Sequence, residues 1–276
     1  MNISVIKGNG ERADFDPSKL KRALQSAGAG VPEQQRVMEE LSNKLYNGIS
    51  TGQIYKMAFK LLKKESHKMA GRYKLKSAIR ELGPTGYPFE SLVGAILKNQ
   101  GYDVEIGVIV QGKCVQHEVD VVARKPGEML MIECKFHSDN ASNSGVKVPL
   151  YIQSRFLDVK AAWQLKYGKN IRYQGGVITN TRFSKDAVKY GNCMGLMVIS
   201  WDTPNGNGLK HWIDKAGLHP ITSLISLTKA QKQLLLEKGI VLCRELEKNR
   251  DLLLEMQISE RQTNKILREA QHLVAK

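Results

Sequence analysis

Residues 118–135 read E-V-D-V-V-A-R-K-P-G-E-M-L-M-I-E-C-K, two runs of alternating side chains on either side of a Pro-Gly pair. Alternation at period two on both sides of a turn signal specifies a β-hairpin with one buried face. With Lys125, Pro126, Gly127 and Glu128 at the turn, Arg124 opposes Met129, Val122 opposes Met131, Asp120 opposes Glu133 and Glu118 opposes Lys135. Val119, Val121, Ala123, Leu130, Ile132 and Cys134 then share the other face, which can enter a core. Directly opposed side chains have Cβ atoms roughly 4.5–5.5 Å apart, so Asp120 and Glu133 lie side by side. Opposed like charges destabilise a hairpin unless something positive lies between them. A hard divalent cation, held by both carboxylates and by water, resolves that cost. The competing reading is a solvated charged face with no chemistry.

The flanking segments favour the first reading. Phe89, Leu92, Val93, Ile96 and Leu97 recur at helical spacing, with Pro88 suited to the first turn and Gly101 to the stop. Glu90 lies in that first turn, where the helix dipole favours a carboxylate. After the hairpin the patterns predict a helix over 150–167, a buried strand over 176–179, a short helix over 184–190 and a strand over 196–200. The order of helix, three strands, helix, strand, helix, strand is that of a small α/β sheet with helices on both faces.

Glu90 on a helix, then Asp120, then Glu133-Cys134-Lys135, resembles the PD-(D/E)xK nuclease fold, and most closely the Mrr-like restriction endonucleases. The resemblance covers residues 84–223. It implies Asp120, Glu133, Lys135 and Glu90 as catalytic positions and Asp120, Glu133 and Cys134 as metal positions, with Mg²⁺ or Mn²⁺ as the ion. In that family the lysine orients or activates the attacking water and the helix glutamate assists the metal shell. Val119 replaces a proline that often precedes the aspartate, and Gln153 matches a polar residue often found in the following helix. Independently, phosphodiester hydrolysis needs charge neutralisation at the phosphoryl oxygens and an activated water, both of which a carboxylate-bound dication supplies.

Lysine and arginine total 42 against 27 acidic residues, a net charge of +15 that favours a polyanionic partner such as DNA. The four cysteines, Cys114, Cys134, Cys193 and Cys243, form no C-x-x-C pair, so a disulfide framework or zinc site is not indicated. Cys114 and His117 lack a second pair of ligands. No window reaches a membrane span and the N-terminus lacks a signal-peptide core, so a cytoplasmic setting is expected, with no membrane partner.

Residues 1–82 read as a separate unit: a short strand over 3–7, the Gly8-Asn9-Gly10 turn, a second strand ending near Phe15, and a helix opened by Asp16-Pro17. Helices over 33–46 and 51–63 follow, the latter capped by Ser50 or Thr51, and a fourth over 67–82 carries Lys68, Arg72, Lys74, Lys76 and Arg80. Val5-Ile6-Lys7 before a glycine turn, Phe15-Asp16 with Lys19, Ile49-Ser50-Thr51 opening a helix, and Tyr73 and Arg80 in the last helix resemble the ATP-cone, a regulatory nucleotide-binding domain. The resemblance implies ATP or dATP as ligand, with Lys7 and Lys19 on phosphates and Val5, Thr51 and Tyr55 nearer the base and sugar. Gly8 departs from the basic residue usual after the first lysine.

Residues 224–276 read as a helical hairpin with an internal repeat, 234–240 recurring at 252–258. Thr228-x-x-Gln231 and Ser259-x-x-Gln262 are capping boxes that restart helices. The second copy resembles a helix-hairpin-helix unit, with Gln257 where a hairpin glycine is usual; packing or dimerisation is the simpler role.

The expected fold class is α/β: an α+β ATP-cone over 1–82, a PD-(D/E)xK mixed sheet flanked by helices over 83–223, and a helical C-terminus. The expected function is a Mg²⁺-dependent DNA endonuclease of restriction or defence type, regulated by adenine nucleotide and assembled as a homo-oligomer. The alternative is a nucleotide-sensing DNA-binding regulator that does not cleave.

Overall fold

The computed structural model describes residues 3–139 and 142–275. Strands β1 (Ser4–Ile6) and β2 (Arg12–Asp14) lead into α1 (Pro17–Ser26) and α2 (Val31–Ser42). Then come β3 (Ile49–Ser50), α3 (Thr51–Glu65), α4 (His67–Tyr73), α5 (Leu75–Arg80) and α6 (Tyr87–Asn99). The central sheet brings β4 (Asp103–Gln111), β5 (Gln116–Lys125) and β6 (Glu128–Lys135), then β7 (Asn143–Ser144) and α7 (Lys147–Tyr167). β8 (Arg172–Thr179), β9 (Arg182–Phe183), α8 (Lys185–Cys193), β10 (Met197–Ile199) and α9 (Leu209–Ala216) follow. The chain ends with α10 (Lys229–Glu237), α11 (Arg250–Glu255) and α12 (Glu260–Val274). No helix among the described residues is long and apolar enough to cross a membrane.

Two compact units result. The first joins residues 3–78 to 221–234 and 243–275. Its small sheet has the order β2-β1-β3, with β1 antiparallel to β2 and parallel to β3. Sequence periodicity places Ile49 and Ser50 at a helix start; Ser50 does cap α3 in a complete capping box with Gln53, but the two residues also form β3. A two-residue strand is too short to show alternation. The expected helix over 67–82 is broken at Lys74 into α4 and α5, and the chain there is used for packing. Val5, Leu20, Leu24, Val37, Leu41, Ile49, Ile54 and Leu62 make the core.

Of the C-terminal residues, 224–234 and 243–275 pack within the first unit and 235–242 within the second. α12 packs on α4, where a Cβ on Gly71 would come within 2.8 Å of Leu273. Arg72 donates to the Ala275 carbonyl at 2.9 Å, satisfying a C-terminal carbonyl that a helix leaves without a partner. Glu269 is buried and accepts the N–H groups of Ile225 (2.6 Å) and Ser226 (2.9 Å). The physical reason is the apolar face of α12, Ile266, Leu267, Ala270 and Leu273, which a lone hairpin could not cover. The repeat itself is structural: Gly239 and Gln257 both take positive φ (77° and 59°), and Ile240 and Ile258 donate back to Leu235 and Leu253 at 2.9 and 3.2 Å. These are two Schellman turns, and Gln257 adopts the conformation that glycine usually supplies.

The second unit holds a five-stranded sheet of order β10-β8-β6-β5-β4. β4, β5 and β6 run antiparallel in sequence; β6, β8 and β10 are parallel. The hairpin pairs in the expected register from Lys125↔Glu128 to Val121↔Ile132, with Gly127 at φ 76° as a Pro-Gly turn demands; the expected pairs Asp120–Glu133 and Glu118–Lys135 fall beyond the end of the ladder. α7 covers one face through Phe156, Val159 and Trp163, which meet Val122, Met129 and Met131. α6 covers the other, where Val104 and Ile106 lie close under Gly94.

One expectation is corrected. Strict alternation puts Val119 on the face of Val121, yet it joins Val122 in the cluster beneath α7. Val108 and Val110 join it too, although Val104 and Ile106 of the same parity face α6. The cause is Gly107, whose φ of 62° interrupts the β4–β5 ladder opposite Asp120. A single left-handed residue reverses the faces that follow it. Asp120 therefore lies where the sheet turns over.

Candidate active site

The hairpin ladder stops at Val121↔Ile132, and beyond it β6 continues only with β8, pairing Glu133↔Val177, Cys134↔Ile178 and Lys135↔Thr179. Asp120 fills the gap: its Oδ2 accepts the main-chain N–H of Cys134 at 2.6 Å. A strand residue sends its N–H and C=O towards the same neighbour, so the Cys134 carbonyl also faces the Asp120 side. The exit of β6 is fixed by Thr179 Oγ1 donating to the Lys135 carbonyl (2.7 Å) and by Asn180, which exchanges two hydrogen bonds with the His137 main chain at 2.9 and 2.7 Å.

Glu133 is 7% exposed and its carboxylate is divided between two cations. Lys135 Nζ meets Oε1 at 2.5 Å and Arg155 Nη1 meets Oε2 at 2.7 Å. Arg155, from α7, also donates through Nη2 to the Glu118 carbonyl. The positive charge needed between Asp120 and Glu133 is thus supplied in part by the chain itself. Periodicity left Arg155 unnoticed, although a signal exists: it falls three residues after Ile152 and four before Val159, beside the apolar stripe of α7. A cation so placed needs a buried acid.

Glu90 enters from the first turn of α6, and the absence of a side chain at Gly86 leaves room for it: a Cβ there would lie 3.1 Å from Glu90 Oε1. Burial, then the charges of Asp120, Glu118 and Glu133, push the Glu90 carboxyl up to about 7. Burial and then Glu133 push Asp120 up to about 6, against the opposing pull of the Cys134 N–H, Lys135 and Arg155. Four of the expected residues therefore converge. Gln153 is buried on α7 with its Oε1 unpartnered, and no hydrogen bond joins it to this group among the described residues.

The donor set fits a hard dication, because two or three carboxylates crowd together at the cost of raised pKa values. Among the described residues no three His, Cys, Asp or Glu side chains gather closely enough to hold a metal by themselves. The remaining ligands would have to be main-chain, water or substrate oxygens, as is usual for Mg²⁺. Cys134 does not fit as a thiolate: burial, then Asp120, raises its thiol well above the ordinary range. Only its carbonyl suits the role. Cys114 and His117 have a structural use, since the Cys114 N–H (2.8 Å) and His117 Nε2 (2.8 Å) both meet Asp158 of α7 and pin the β4–β5 loop.

These shifts give a prediction with a definite sign. In the metal-free fold Glu90 and Asp120 bind protons more tightly than in the unfolded chain, so their contribution to stability falls as pH rises from about 4 to about 7. Glu90→Gln and Asp120→Asn should raise the thermal midpoint in EDTA above about pH 7 and do little below about pH 4. An equal effect at both ends of that range, measured by calorimetry, would contradict the raised proton affinity of these two carboxyls.

The expected nucleotide residues lie in the first unit. Lys7 Nζ pairs with Glu11 at 3.1 Å, and the more exposed Lys19 with Asp16 at 3.8 Å. Thr51 opens α3, exposed, and Tyr55 stacks on Tyr73 with centroids 5.0 Å apart. The Val5 side chain is 4% exposed within the core, so a base cannot be read through it.

Three family models match parts of the chain. Residues 3–82 match the ATP cone domain family, 83–204 a restriction endonuclease family, and 219–274 the C-terminal family of AF1548-like proteins. The chain thus joins an ATP-cone to an Mrr-like restriction-endonuclease domain. An uncharacterized protein of Archaeoglobus fulgidus is 35% identical over 180 residues, covering 65% of this chain and 98% of the relative. The crystal structure of AF1548, a protein of unknown function, superposes with a TM-score of 0.55 at 34% identity, over 69% of this chain and 98% of that one. The MspJI restriction endonuclease bound to a 27-mer oligonucleotide is more remote, at 14% identity, a TM-score of 0.29, and 48% and 30% coverage.

Proposed function

The chain belongs to the AF1548-like family, and from that premise we propose that it is a Mg²⁺-dependent DNA endonuclease of restriction or defence type, regulated by ATP or dATP. The observation that supports cleavage is the gathering of Asp120, Glu133, Lys135 and Glu90 where β5 and β6 part. Asp120, Glu133 and the Cys134 carbonyl would hold the ion, with Mn²⁺ an alternative. The ion would neutralise phosphoryl charge and lower the pKa of a bound water. Lys135, whose side chain is 38% exposed, is free enough to leave Glu133 and hold that water in line. Arg155 is the fixed partner, keeping Glu133 Oε2 engaged while Oε1 remains available. Glu90, with its carboxyl near neutrality, can hold a proton close to the scissile phosphate.

The second reading, a regulator that binds DNA without cutting, is favoured by the completeness of the Glu133 ion pairs, which could stand in for a metal. Incubating the purified chain with supercoiled plasmid separates the two. Cleavage that needs Mg²⁺ supports the nuclease, whereas retention without cleavage supports the regulator.

Regulation has its own test. For a nucleotide to bias the nuclease it must prefer one state of the chain, typically by ~1–3 kcal/mol. Lys7→Ala combined with Lys19→Ala should abolish ATP and dATP binding in calorimetry and remove any nucleotide effect on DNA affinity. A wild-type chain that binds no nucleotide at millimolar concentration rules the regulatory reading out.

A further inference from the structure

Several cations of the first unit are engaged internally. Arg72 caps α12 through the Ala275 carbonyl, and Lys74 and Lys232 both donate to the Thr222 carbonyl at 3.2 and 3.0 Å. The outer face of α12 differs. Arg261, Lys265 and Arg268 are all exposed and recur at i, i+4 and i+7, with exposed His272 one turn further on. None of the three cations forms an ion pair among the described residues. Of the two acids adjacent in sequence, Glu260 is taken by Arg250, and Glu269 is buried and accepts the Ile225 and Ser226 N–H groups. The opposite face of the same helix, Thr263, Ile266, Leu267, Ala270 and Leu273, is buried, so the stripe cannot turn inward. An open groove of about 1040 Å³ runs along it, lined by Arg261, Lys265 and Arg268 together with Glu260, whose carboxylate is paired with Arg250.

We propose that this face of α12 is a docking strip for the phosphate backbone of duplex DNA. The proposal rests on the reading that the chain acts on DNA, and it assigns binding to a surface that takes no part in the chemistry. At about 1.5 Å per residue the stripe from 261 to 272 is ~17 Å long, the rise of roughly five base pairs. Two of its three cations are arginines, whose planar forks meet phosphate oxygens in pairs. The groove is too open to enclose a small molecule, and a net charge of +15 makes a polyanion the complementary occupant. The mode differs from helix-hairpin-helix binding through helix N-terminal amides, one of which is already capped here by Ser259 Oγ on Gln262 N–H at 3.3 Å.

The test is fluorescence anisotropy of the full chain with a labelled duplex in EDTA, titrated across salt. R261Q/K265Q/R268Q should flatten the log–log salt slope by roughly 2.7, about 0.9 for each phosphate no longer neutralised, and weaken binding on the order of 10²-fold near 0.1 M salt. R261K/R268K, which keeps the charge, should retain the slope. If the triple variant melts early, each single substitution should still flatten the slope by roughly 0.9. An unchanged slope and affinity in a wild type that binds and cleaves overturns the strip alone, leaving it a solvated or protein-facing surface. A wild type that binds no duplex overturns both the strip and the nuclease reading.

Discussion

Asp120→Ala should lower metal-dependent cleavage by about 10³-fold or more, because losing several kcal/mol of charge stabilisation at the phosphoryl group costs a decade of rate per 1.36 kcal/mol. The fold should survive. Removing a buried carboxylate beside Glu133 relieves its desolvation and the repulsion between the two, although it also leaves the Cys134 N–H without its 2.6 Å acceptor. Asp120→Asn keeps an acceptor at that position and separates the two effects. It should be as inactive as alanine while matching or exceeding the wild type in stability above about pH 7. Plasmid cleavage and thermal melting on both variants check this. An active Asn variant would mean that the carboxylate charge is not what the reaction uses.

Arg155→Ala carries the second large effect. Its side chain is 12% exposed and Glu133's is 8% exposed, so the variant leaves a nearly buried carboxylate with Lys135 alone. Breaking one side of a buried pair typically costs about 3 kcal/mol or more. In a domain of this size that is roughly 6–12 °C in thermal midpoint. Arg155→Lys should not rescue it, because a single ammonium cannot meet Glu133 Oε2 and the Glu118 carbonyl together. Arg155 acts through Glu133 and is a positioning residue. Metal affinity should therefore fall in the variant even at a temperature where it is fully folded. Unchanged metal affinity would reduce Arg155 to a packing role.

The hairpin was legible because period-two alternation and a Pro-Gly turn determine register without help from the rest of the chain. Glu90 and the α6 stripe were legible for the same reason: their signals are local. Three features were not. Gly107 reverses the faces of two strands, and nothing beside it distinguishes it from a loop glycine. Ile49 and Ser50 form a strand only because Val5 and Ile6 lie beside them, forty-odd residues away in sequence. The destination of the C-terminal helices depends on a tertiary surface, α4, that a hydrophobic stripe requires but does not identify. Arg155 falls between these cases: its position beside the apolar stripe shows that it needs a partner, and only the fold reveals Glu133 as that partner.

The central claim is that Asp120 and Glu133 hold a dication that cuts DNA, and metal add-back tests it most directly. The chain is stripped with EDTA, mixed with supercoiled plasmid, and titrated with Mg²⁺ or Mn²⁺ beside the Asp120→Ala protein. The account predicts no product without metal, nicked or linear product as metal is restored to the wild type, and none at any metal concentration with the variant. Cleavage that persists in EDTA, or that returns in the Asp120→Ala protein, would contradict it.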